Sequence, residues 1–194
     1  MQKSLKVKGL NNNPNLKFNC LKENHIDLRN KAIRFLWNFV WLLLYRPSPI
    51  LMHSWRCFLL RCFGAKVAKG ALPYPSARIW APWNLTMGED SCLSHQVDCY
   101  SVDKIIIGNR VTVSQYSFLC TATHDHRGKS MSLMTGPIHI GDDAWITADV
   151  FIGPGVIVGK GAVVGARSTV VSNVSAWSIV AGNPAKNIGS RAPH

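Results

Sequence analysis

The amino-acid sequence predicts an all-β solenoid, a parallel β-helix assembled from six-residue repeats. Between Ile140 and Val174 an aliphatic residue returns at every sixth position, and glycine directly follows it in four of the six repeats. This period differs from the 3.6 residues of an α-helical turn and from the alternation of a simple strand, and it is typical of short strands joined by two-residue corners. We expect the aliphatic side chains to stack in columns inside the coil and the glycines to supply unusual backbone dihedrals. The aliphatic positions are Ile140, Ile146, Ile152, Val158, Val164 and Val170.

The same repeat extends upstream with two interruptions. It begins loosely at Val67, and a slip of two residues around 101–104 resets its phase. A longer break follows, which we predict to be an inserted loop over residues 125–138. Insertions at the corners of a solenoid are tolerated and are common places for functional residues.

Composition divides the chain into four parts. Residues 1–24 form a polar arm, 25–66 a basic and apolar helical segment, 67–190 the β-helix, and 191–194 a tail. Within the second part we predict one helix over 26–45, ended by the prolines that follow, and another over 50–63. The uninterrupted apolar run is too short for a membrane span, which needs about 20 residues.

The net charge of +12 is concentrated in the first third of the chain, because residues 1–66 carry +10 and residues 67–194 carry +2. Such a basic region favours an anionic partner. Nucleic acid is disfavoured, because no helix-turn-helix, zinc-finger or aromatic RNA-binding pattern is present. Trp37, Trp41 and Trp55 beside several arginines suit peripheral contact with a membrane. The same helices could equally brace the coil, and the two roles are compatible.

The six cysteines form no CxxC pair and show no metal-ligand spacing. The first 20 residues contain no apolar stretch of signal-peptide length. We therefore expect reduced thiols and no metal. We also expect a cytoplasmic protein, with peripheral association at the inner face of the membrane as a further option.

The break in the repeat contains the candidate catalytic residue. The segment TATHDH at 121–126 places His124 at the end of the last repeat before the break. An imidazole with the usual pKa of about 6.5 can accept a proton at neutral pH. A loop histidine taken alone is more often an ordinary surface residue, so its sequence context has to carry the assignment.

That context is specific. CTATHDH, a loop, then IHIGDDAWITADVFIGPGVIVGKGAVVGA and AGNPAK resemble the hexapeptide-repeat acyltransferases of the left-handed β-helix fold, in the branch of maltose and galactoside O-acetyltransferases. With RPSP and RCFLLRCFGAKV, the whole chain most resembles the colanic-acid-type acetyltransferases of exopolysaccharide gene clusters. The resemblance implies a left-handed coil and a homotrimer.

The resemblance also implies the chemistry. His124 matches the family's general base, which deprotonates a sugar hydroxyl for direct attack on the thioester of acetyl-CoA, with no acyl-enzyme and no metal. Cys120 lies four residues away and would permit a Cys–His covalent route; we expect it instead to be an inward core thiol. Asp98, Tyr100 and Asp103 are the candidate acceptor-binding residues, and for either aspartate a solvated surface carboxylate remains the alternative.

The cofactor positions are likewise carried over from the family, in which the thioester lies along the coil between two subunits. Small residues there let a pantetheine arm approach the backbone, and a lysine can meet a phosphate. Where the family tends to have Thr-Lys, this chain has Val171 and Ser172. The matching positions are Trp145, Ala148, Gly165, Ala166, Ser172 and Lys186.

The function expected from these residues is acetyl-CoA-dependent O-acetylation of a sugar or lipid-linked glycan in exopolysaccharide or glycolipid biosynthesis. The alternatives are a non-catalytic scaffold and a serine or nucleotide-sugar N-acyltransferase. A γ-class carbonic anhydrase would need three zinc-binding histidines from among His95, His124, His126 and His139. The two-residue spacing of His124 and His126 disfavours it.

Overall fold

A computed structural model describes residues 28–126 and 130–192, together with the backbone of residues 19–21. It confirms the parallel β-helix with an N-terminal helical segment and one long insertion. The strands are β1 (Asn19–Leu21), β2 (Lys66–Val67), β3 (Leu72–Pro73), β4 (Arg78–Ile79), β5 (Leu85–Met87), β6 (Cys92–Leu93), β7 (Asp98–Tyr100), β8 (Ile105–Ile107), β9 (Thr112–Val113), β10 (Phe118–Cys120), β11 (Ala122–His124), β12 (Leu133–Thr135), β13 (Ile138–Ile140), β14 (Trp145–Ile146), β15 (Phe151–Ile152), β16 (Ile157–Val158), β17 (Val163–Val164), β18 (Thr169–Val170), β19 (Ser178–Gly182) and β20 (Ala185–Ser190).

The strands build the three faces of a prism. Face 1 contains β2, β5, β8, β13 and β16; face 2 contains β3, β6, β9, β14, β17 and β19; face 3 contains β4, β7, β10, β15 and β18. All pairings within the faces are parallel, and β20 then adds to β19 in antiparallel fashion. We call the corners 1–2, 2–3 and 3–1 after the faces that they join.

The predicted columns are the core of the prism. Ile140 on face 1, Ile146 on face 2 and Ile152 on face 3 are almost completely buried, and each pairs in register with aliphatic residues of the neighbouring coils. The small or β-branched residues four positions later are buried beside them. These are Ala144, Val150, Val156, Ala162, Ser168 and Val174.

The expected role of glycine is wrong for the glycines that directly follow the aliphatic residues, although Gly155 and Gly161 elsewhere in the repeats do have positive φ. Gly141 and the equivalent glycines of the clean repeats are absent from the residues with positive φ, a conformation that Asp143, Asp149 and Arg167 adopt at nearby corners. Glycine is needed at 141 because a Cβ there would lie 2.7 Å from the backbone nitrogen of Lys160 in the next coil. At Gly141 the constraint is therefore the spacing between coils, not the dihedral angles of the turn.

Two helices stand at the beginning of the coil. Helix α1 (Leu28–Val40) continues as a π-helical turn (Trp41–Tyr45), and α2 (His53–Cys62) follows a connection at 46–52. The predicted ranges of 26–45 and 50–63 therefore enclose the observed helices. No helix within the described ranges is both long and apolar enough to cross a membrane.

The helices terminate the hydrogen-bond ladder of the first coil. Side chains from the helices donate to carbonyl groups that face away from the second coil, and Trp37 and Tyr45 join the same apolar core as Ile79. The bracing role is therefore observed. The donor–acceptor pairs are Trp37 Nε1 to Ile79 O (2.6 Å), Trp41 Nε1 to Ala77 O (3.0 Å), Arg56 Nε to Pro73 O (2.7 Å), Cys57 Sγ to Ala71 O (3.3 Å) and Arg61 Nε to Val67 O (2.9 Å).

The structure shows three interruptions of the repeat, one more than we identified from the sequence, and all three stand at corner 3–1. The first contains a short 3₁₀ turn (Pro82–Asn84), the second is residues 101–104, and the third is an antiparallel hairpin of β11 and β12. The predicted loop at 125–138 is thus the outer part of a hairpin that begins at Ala122, and its last residue is already in β13.

Part of the predicted polar arm is docked on this hairpin, because β1 pairs antiparallel with β12. The remainder of the arm, residues 1–18 and 22–24, lies outside the described residues, as does the end of the tail at 193–194.

We predict that Gly141→Ala lowers the free energy of unfolding by about 1–3 kcal/mol, as other overpacked sites do, because the new methyl group would force two coils apart. Chemical denaturation monitored by circular dichroism measures the change. Gly189→Ala is the matched control, because a Cβ at Gly189 meets no atom within 4 Å. Equal stability of the two variants would contradict the role of coil spacing.

Candidate active site

His124 is the last residue of β11 and is exposed at corner 3–1. Its ring nitrogen Nδ1 lies 2.7 Å from the carbonyl oxygen of Met131, on the returning side of the hairpin. A carbonyl oxygen only accepts hydrogen bonds, so the neutral ring carries its proton on Nδ1 and leaves the lone pair of Nε2 unprotonated. Among the residues that the structure describes, none hydrogen-bonds to Nε2. The hairpin thus orients an imidazole that can accept a proton.

Thr121, which the sequence interpretation did not single out, anchors the base of this hairpin. The Thr121 side chain is fully buried; its hydroxyl donates to the carbonyl oxygen of Tyr100 at 2.7 Å and accepts the backbone N–H of Asp103 at 2.9 Å. The position of His124 therefore depends on the preceding coil. The only sequence signal was that Thr121 immediately precedes the hairpin.

Asp98 and Tyr100, two of the three predicted acceptor residues, lie on β7 of face 3. Asp98 stands between Arg78 of β4 and Phe118 of β10, and Tyr100 pairs with Cys120 at the base of the hairpin. Burial raises the pKa of the Asp98 carboxyl, and the nearby charge of Arg78 partly opposes this shift. A half-buried carboxyl group beside the hairpin is suited to accept a hydrogen bond from a hydroxyl group.

Asp103 makes contacts that fix the corner. Its Oδ1 accepts the backbone N–H of Lys104 at 2.7 Å, and its backbone N–H binds Thr121. Its Oδ2 is buried and has no hydrogen-bond partner in the described part of the chain. Asp103 is therefore held at corner 3–1, one coil before the hairpin.

An aromatic ladder runs along face 3 beside these residues, and it was not anticipated from the sequence. Adjacent rings of Trp80, Tyr100, Phe118 and Phe151 have centroids 5.5, 6.4 and 5.7 Å apart, and the Arg34 guanidinium lies 4.1 Å from the Trp80 centroid. Spacings near 20 and 33 residues place these rings on neighbouring coils. That signal becomes visible only once the coil length is known.

Cys120 is buried, but it is not the inward core thiol that we expected. Leu119 fills the core column of β10, and Cys120 points away from that column under the hairpin, where its Sγ donates to the carbonyl oxygen of Ala122 at 3.2 Å. Burial raises the pKa of this thiol. A buried thiol with a raised pKa is a poor nucleophile, because the thiolate is the reactive form.

Four of the predicted cofactor positions collect along face 2 and corner 2–3. Trp145 projects outward from β14 with 48% of its surface exposed, and its Nε1 donates to Ser114 Oγ at 3.0 Å. Ala148 and Ala166 occupy the same corner in successive coils, since the N–H of Arg167 binds the carbonyl oxygen of Ala148. Gly165 precedes Ala166.

Gly165 also has a packing reason to be small, because a Cβ at this position would lie 2.9 Å from the Cβ of Ala181. Lys186 is exposed on β20, opposite Ala181, so it stands near the same end of corner 2–3. Ser172 follows β18 and is exposed at corner 3–1. The structure therefore places Ser172 on the edge that carries His124, apart from the other five cofactor positions.

His124 and most of the predicted cofactor positions thus stand at opposite edges of face 3. Between Ala148 and the next corner, five residues of extended chain cover about 16 Å. Within one chain, His124 and Ala148 therefore belong to different corners of the prism.

The four histidines considered as zinc ligands are also separated. His95 stands at corner 2–3, where its Nδ1 lies 2.7 Å from Ser76 Oγ, whereas His124 and His126 are in the hairpin and His139 is on β13. Within the described ranges, no three His, Cys, Asp or Glu side chains are grouped so as to hold a metal ion.

Comparison of the sequence with known proteins identifies the repeat and a relative that matches most of the chain. Residues 137–172 match the family model described as bacterial transferase hexapeptide (six repeats). An Escherichia coli (strain K12) protein that bears the name colanic acid biosynthesis acetyltransferase WcaF is 42% identical over 156 residues, which cover 80% of this chain and 86% of that protein.

Comparison with solved structures supports the fold. A maltose O-acetyltransferase from Clostridium difficile 630 superposes with a TM-score of 0.76 at 24% identity, covering 86% of this chain and 90% of that one. A hexapeptide-repeat acetyltransferase from Vibrio cholerae O1 biovar eltor, solved with acetyl coenzyme A, gives a TM-score of 0.73 at 24% identity, covering 86% and 91%.

We predict that Asp98→Asn is at least as stable as the wild type at neutral pH. Because burial raises the pKa of this carboxyl, the folded chain holds the proton more tightly than the unfolded chain. Its contribution to stability is fully present below the ordinary pKa of aspartate and is lost as the pH rises through the raised value. The variant should lack this pH-dependent loss.

Urea denaturation at acidic and neutral pH measures the effect, with Asp149→Asn on an exposed corner as the control. If Asp98→Asn unfolded more easily than the wild type at neutral pH, attraction between Asp98 and Arg78 would outweigh the cost of burial.

Proposed function

Because this chain belongs to the hexapeptide-repeat acetyltransferases, we propose that it transfers the acetyl group of acetyl-CoA to a hydroxyl group of a sugar in exopolysaccharide or glycolipid biosynthesis. The observation that carries the proposal is the orientation of His124, whose Nδ1 is bound to a backbone carbonyl while Nε2 has no hydrogen-bond partner among the described residues. The name of the Escherichia coli relative supports the acceptor class.

In this proposal His124 is a general base. Its Nε2 takes the proton of the acceptor hydroxyl as the hydroxyl oxygen attacks the thioester carbonyl. The tetrahedral oxyanion is stabilised by a backbone N–H of the cleft. When the C–S bond breaks, the imidazolium returns the proton to the leaving sulfur, so the ring ends the cycle neutral. No acyl-enzyme forms, in agreement with the buried, poorly ionised thiol of Cys120.

We assign acceptor binding to Asp98, Tyr100 and Asp103, which lie at or next to the base of the hairpin. The same assignment includes a glycan on a lipid carrier, with the helical segment 25–66 in peripheral contact with the membrane at its inner face.

The donor is assigned to the exposed edge of face 2. Trp145, Ala148, Gly165 and Ala166 line it, and Lys186 is an exposed cation near its end. Small residues at a solenoid corner allow an extended chain to lie against the backbone, and the Lys186 ammonium suits a phosphate as a point charge. Ser172 would have to act from the other edge of face 3.

The separation of the two edges supports a homotrimer whose active sites are shared. In a cyclic oligomer, corner 3–1 of one subunit can face corner 2–3 of the next. Each site would then take its base from one chain and its donor-binding positions from another.

We predict that His124→Ala lowers kcat about 10²- to 10⁴-fold, the usual contribution of a general base, while the affinity for CoA is unchanged. Release of CoA thiol in the presence of a panel of methyl glycosides measures the rate, and calorimetry measures the affinity. His126→Ala, an exposed histidine two residues away, is the matched control and should retain activity within a few-fold. Full activity of His124→Ala would exclude His124 as the general base. A wild type that is inactive with every acceptor would favour the alternative of a non-catalytic scaffold.

We predict that two inactive variants restore each other. Ala166→Asp should prevent donor binding, because it places a carboxylate where the phosphates or pantetheine of the donor would lie. Mixed with His124→Ala by denaturation and refolding, it should recover about a quarter of wild-type activity, since random assembly in a trimer gives that share of intact sites. If the activity of the mixture were no greater than the summed activities of the two separate variants, each active site would lie within one chain.

A further inference from the structure

We infer that the two N-terminal helices and the connection between them form a docking surface for an anionic lipid bilayer, and that this surface places the His124 hairpin near membrane-attached saccharides. The first part is independent of the reaction, whereas the second rests on the proposed function. The docking surface consists of Phe35, Phe39, Leu42, Leu43, Ile50, Leu51, Met52 and Phe58.

Helix α1 has an apolar side that the fold leaves uncovered. Trp37 and Trp41 point to the coil, where Trp37 is completely buried. Phe35, Phe39 and Leu42 follow at spacings of four and three on the opposite side, and 77% of Phe35 is exposed. A contiguous exposed apolar surface of this kind on a soluble chain marks an interaction site.

The tip between the helices is also apolar, and it is held in place. Leu51 is 88% exposed, with Ile50 and Met52 on either side of it. The buried Arg56 guanidinium donates to Pro49 O at 2.8 Å and Ile50 O at 2.6 Å, so the tip is fixed from below. Desolvating a guanidinium is costly unless its donors are satisfied, and here backbone carbonyls satisfy them. The exposed tip is therefore a formed feature of the fold.

Helix α2 joins the same surface through Trp55. Its indole Nε1 donates to Leu44 O at 3.0 Å, and its ring stacks on exposed Phe58 with centroids 5.7 Å apart. The π-helical turn and α2 thus present one continuous apolar surface. A tryptophan with an apolar body and a bonded polar end is typical of a membrane interface.

Charge selects the bilayer as the occupant. Residues 28–66 contain seven Lys and Arg and no Asp or Glu. A second copy of this surface would bring like charges together, whereas anionic headgroups would neutralise them. The exposed basic residues are Arg29, Lys31, Arg46, Arg61 and Lys66.

The geometry relates this surface to the candidate base. Helix α1 binds carbonyl groups at β4, and the hairpin leaves the coil after β10, two strand spacings further along face 3. At 4.7–4.9 Å per spacing, the base of the hairpin stands about 10 Å from the level of β4. With the docking surface on a bilayer, the base of the hairpin would therefore stand close enough to the membrane to meet a saccharide that is linked to a bilayer lipid.

In a cyclic trimer the three surfaces would lie at one height along the axis, so they could engage one membrane together. Multivalent contact would raise the apparent affinity well above that of one surface.

The test uses the full chain with vesicles of phosphatidylethanolamine and phosphatidylglycerol, and with phosphatidylcholine vesicles as the neutral comparison. We expect the wild type to sediment with anionic vesicles at low salt and to be released at high salt. Leu51→Asp and the double variant Phe35→Asp, Phe39→Asp should lose at least about tenfold in binding. Ile188→Asp, an exposed apolar residue on the strand at the other end of face 2, should bind as the wild type does.

Three outcomes would overturn the proposal. They are no binding of the wild type to anionic vesicles, equal binding of Leu51→Asp and the wild type, and a smaller oligomer for the docking-surface variants than for the wild type. The last would show that the surface joins copies of the chain. Thermal unfolding of each variant controls for misfolding, and Arg29→Glu with Lys31→Glu provides a second test that leaves the apolar residues intact.

A second arm separates docking from catalysis. The same sugar is offered as a soluble methyl glycoside and as a glycolipid in the vesicles. Leu51→Asp should acetylate the soluble form at the wild-type rate and the glycolipid more than about tenfold more slowly. Acetylation of neither form by the wild type would reject the proposed function and leave the vesicle-binding result to stand alone. Equal rates of glycolipid acetylation by Leu51→Asp and the wild type would reject the link between docking and the active site.

Discussion

The fixed spacing between successive coils is the constraint on which this structure depends. Parallel strands pair about 4.8 Å apart, so each residue lies directly over its counterpart in the coil before. Ile140, Ile107 and Met87 form one such column on face 1. The same spacing leaves no room for a side chain at Gly141. The core columns and the need for glycine at 141 thus follow from a single distance.

A regular prism offers little chemistry of its own, because its inner surface is aliphatic and its faces repeat. Chemistry requires a departure from the repeat, and here the departures share corner 3–1. The hairpin holds the His124 ring against a carbonyl on its returning side, and Thr121 ties the base of the hairpin to the coil below. The rigid coil thus fixes the position of the hairpin, which a long loop alone would not do.

The sequence predicted the features that depend on local period, namely the columns from Ile140 to Val170, the break in the repeat and His124 beside it. It could not predict which residues of distant segments meet. The pairing of β1 with β12 joins residues more than a hundred positions apart, and no local pattern encodes it. Ser172 was grouped with Ala166 by the resemblance to the family, yet the structure places the two residues at different corners, because one six-residue repeat moves a residue to the next corner of the prism. The role of Gly141 was missed because periodicity gives the phase of a repeat but not the clearance between coils.

The first coil has a consequence for the solubility of the solenoid. A parallel β-helix ends in unpaired strand edges, which are templates for the addition of another chain. Here indole, guanidinium and thiol donors of the helical segment occupy the carbonyl groups that a further coil would use, at Val67, Pro73 and Ile79 among others. The helices thereby cover the first strand edge of each face, so that another copy of the chain cannot add its coils there and extend the ladder into a fibre.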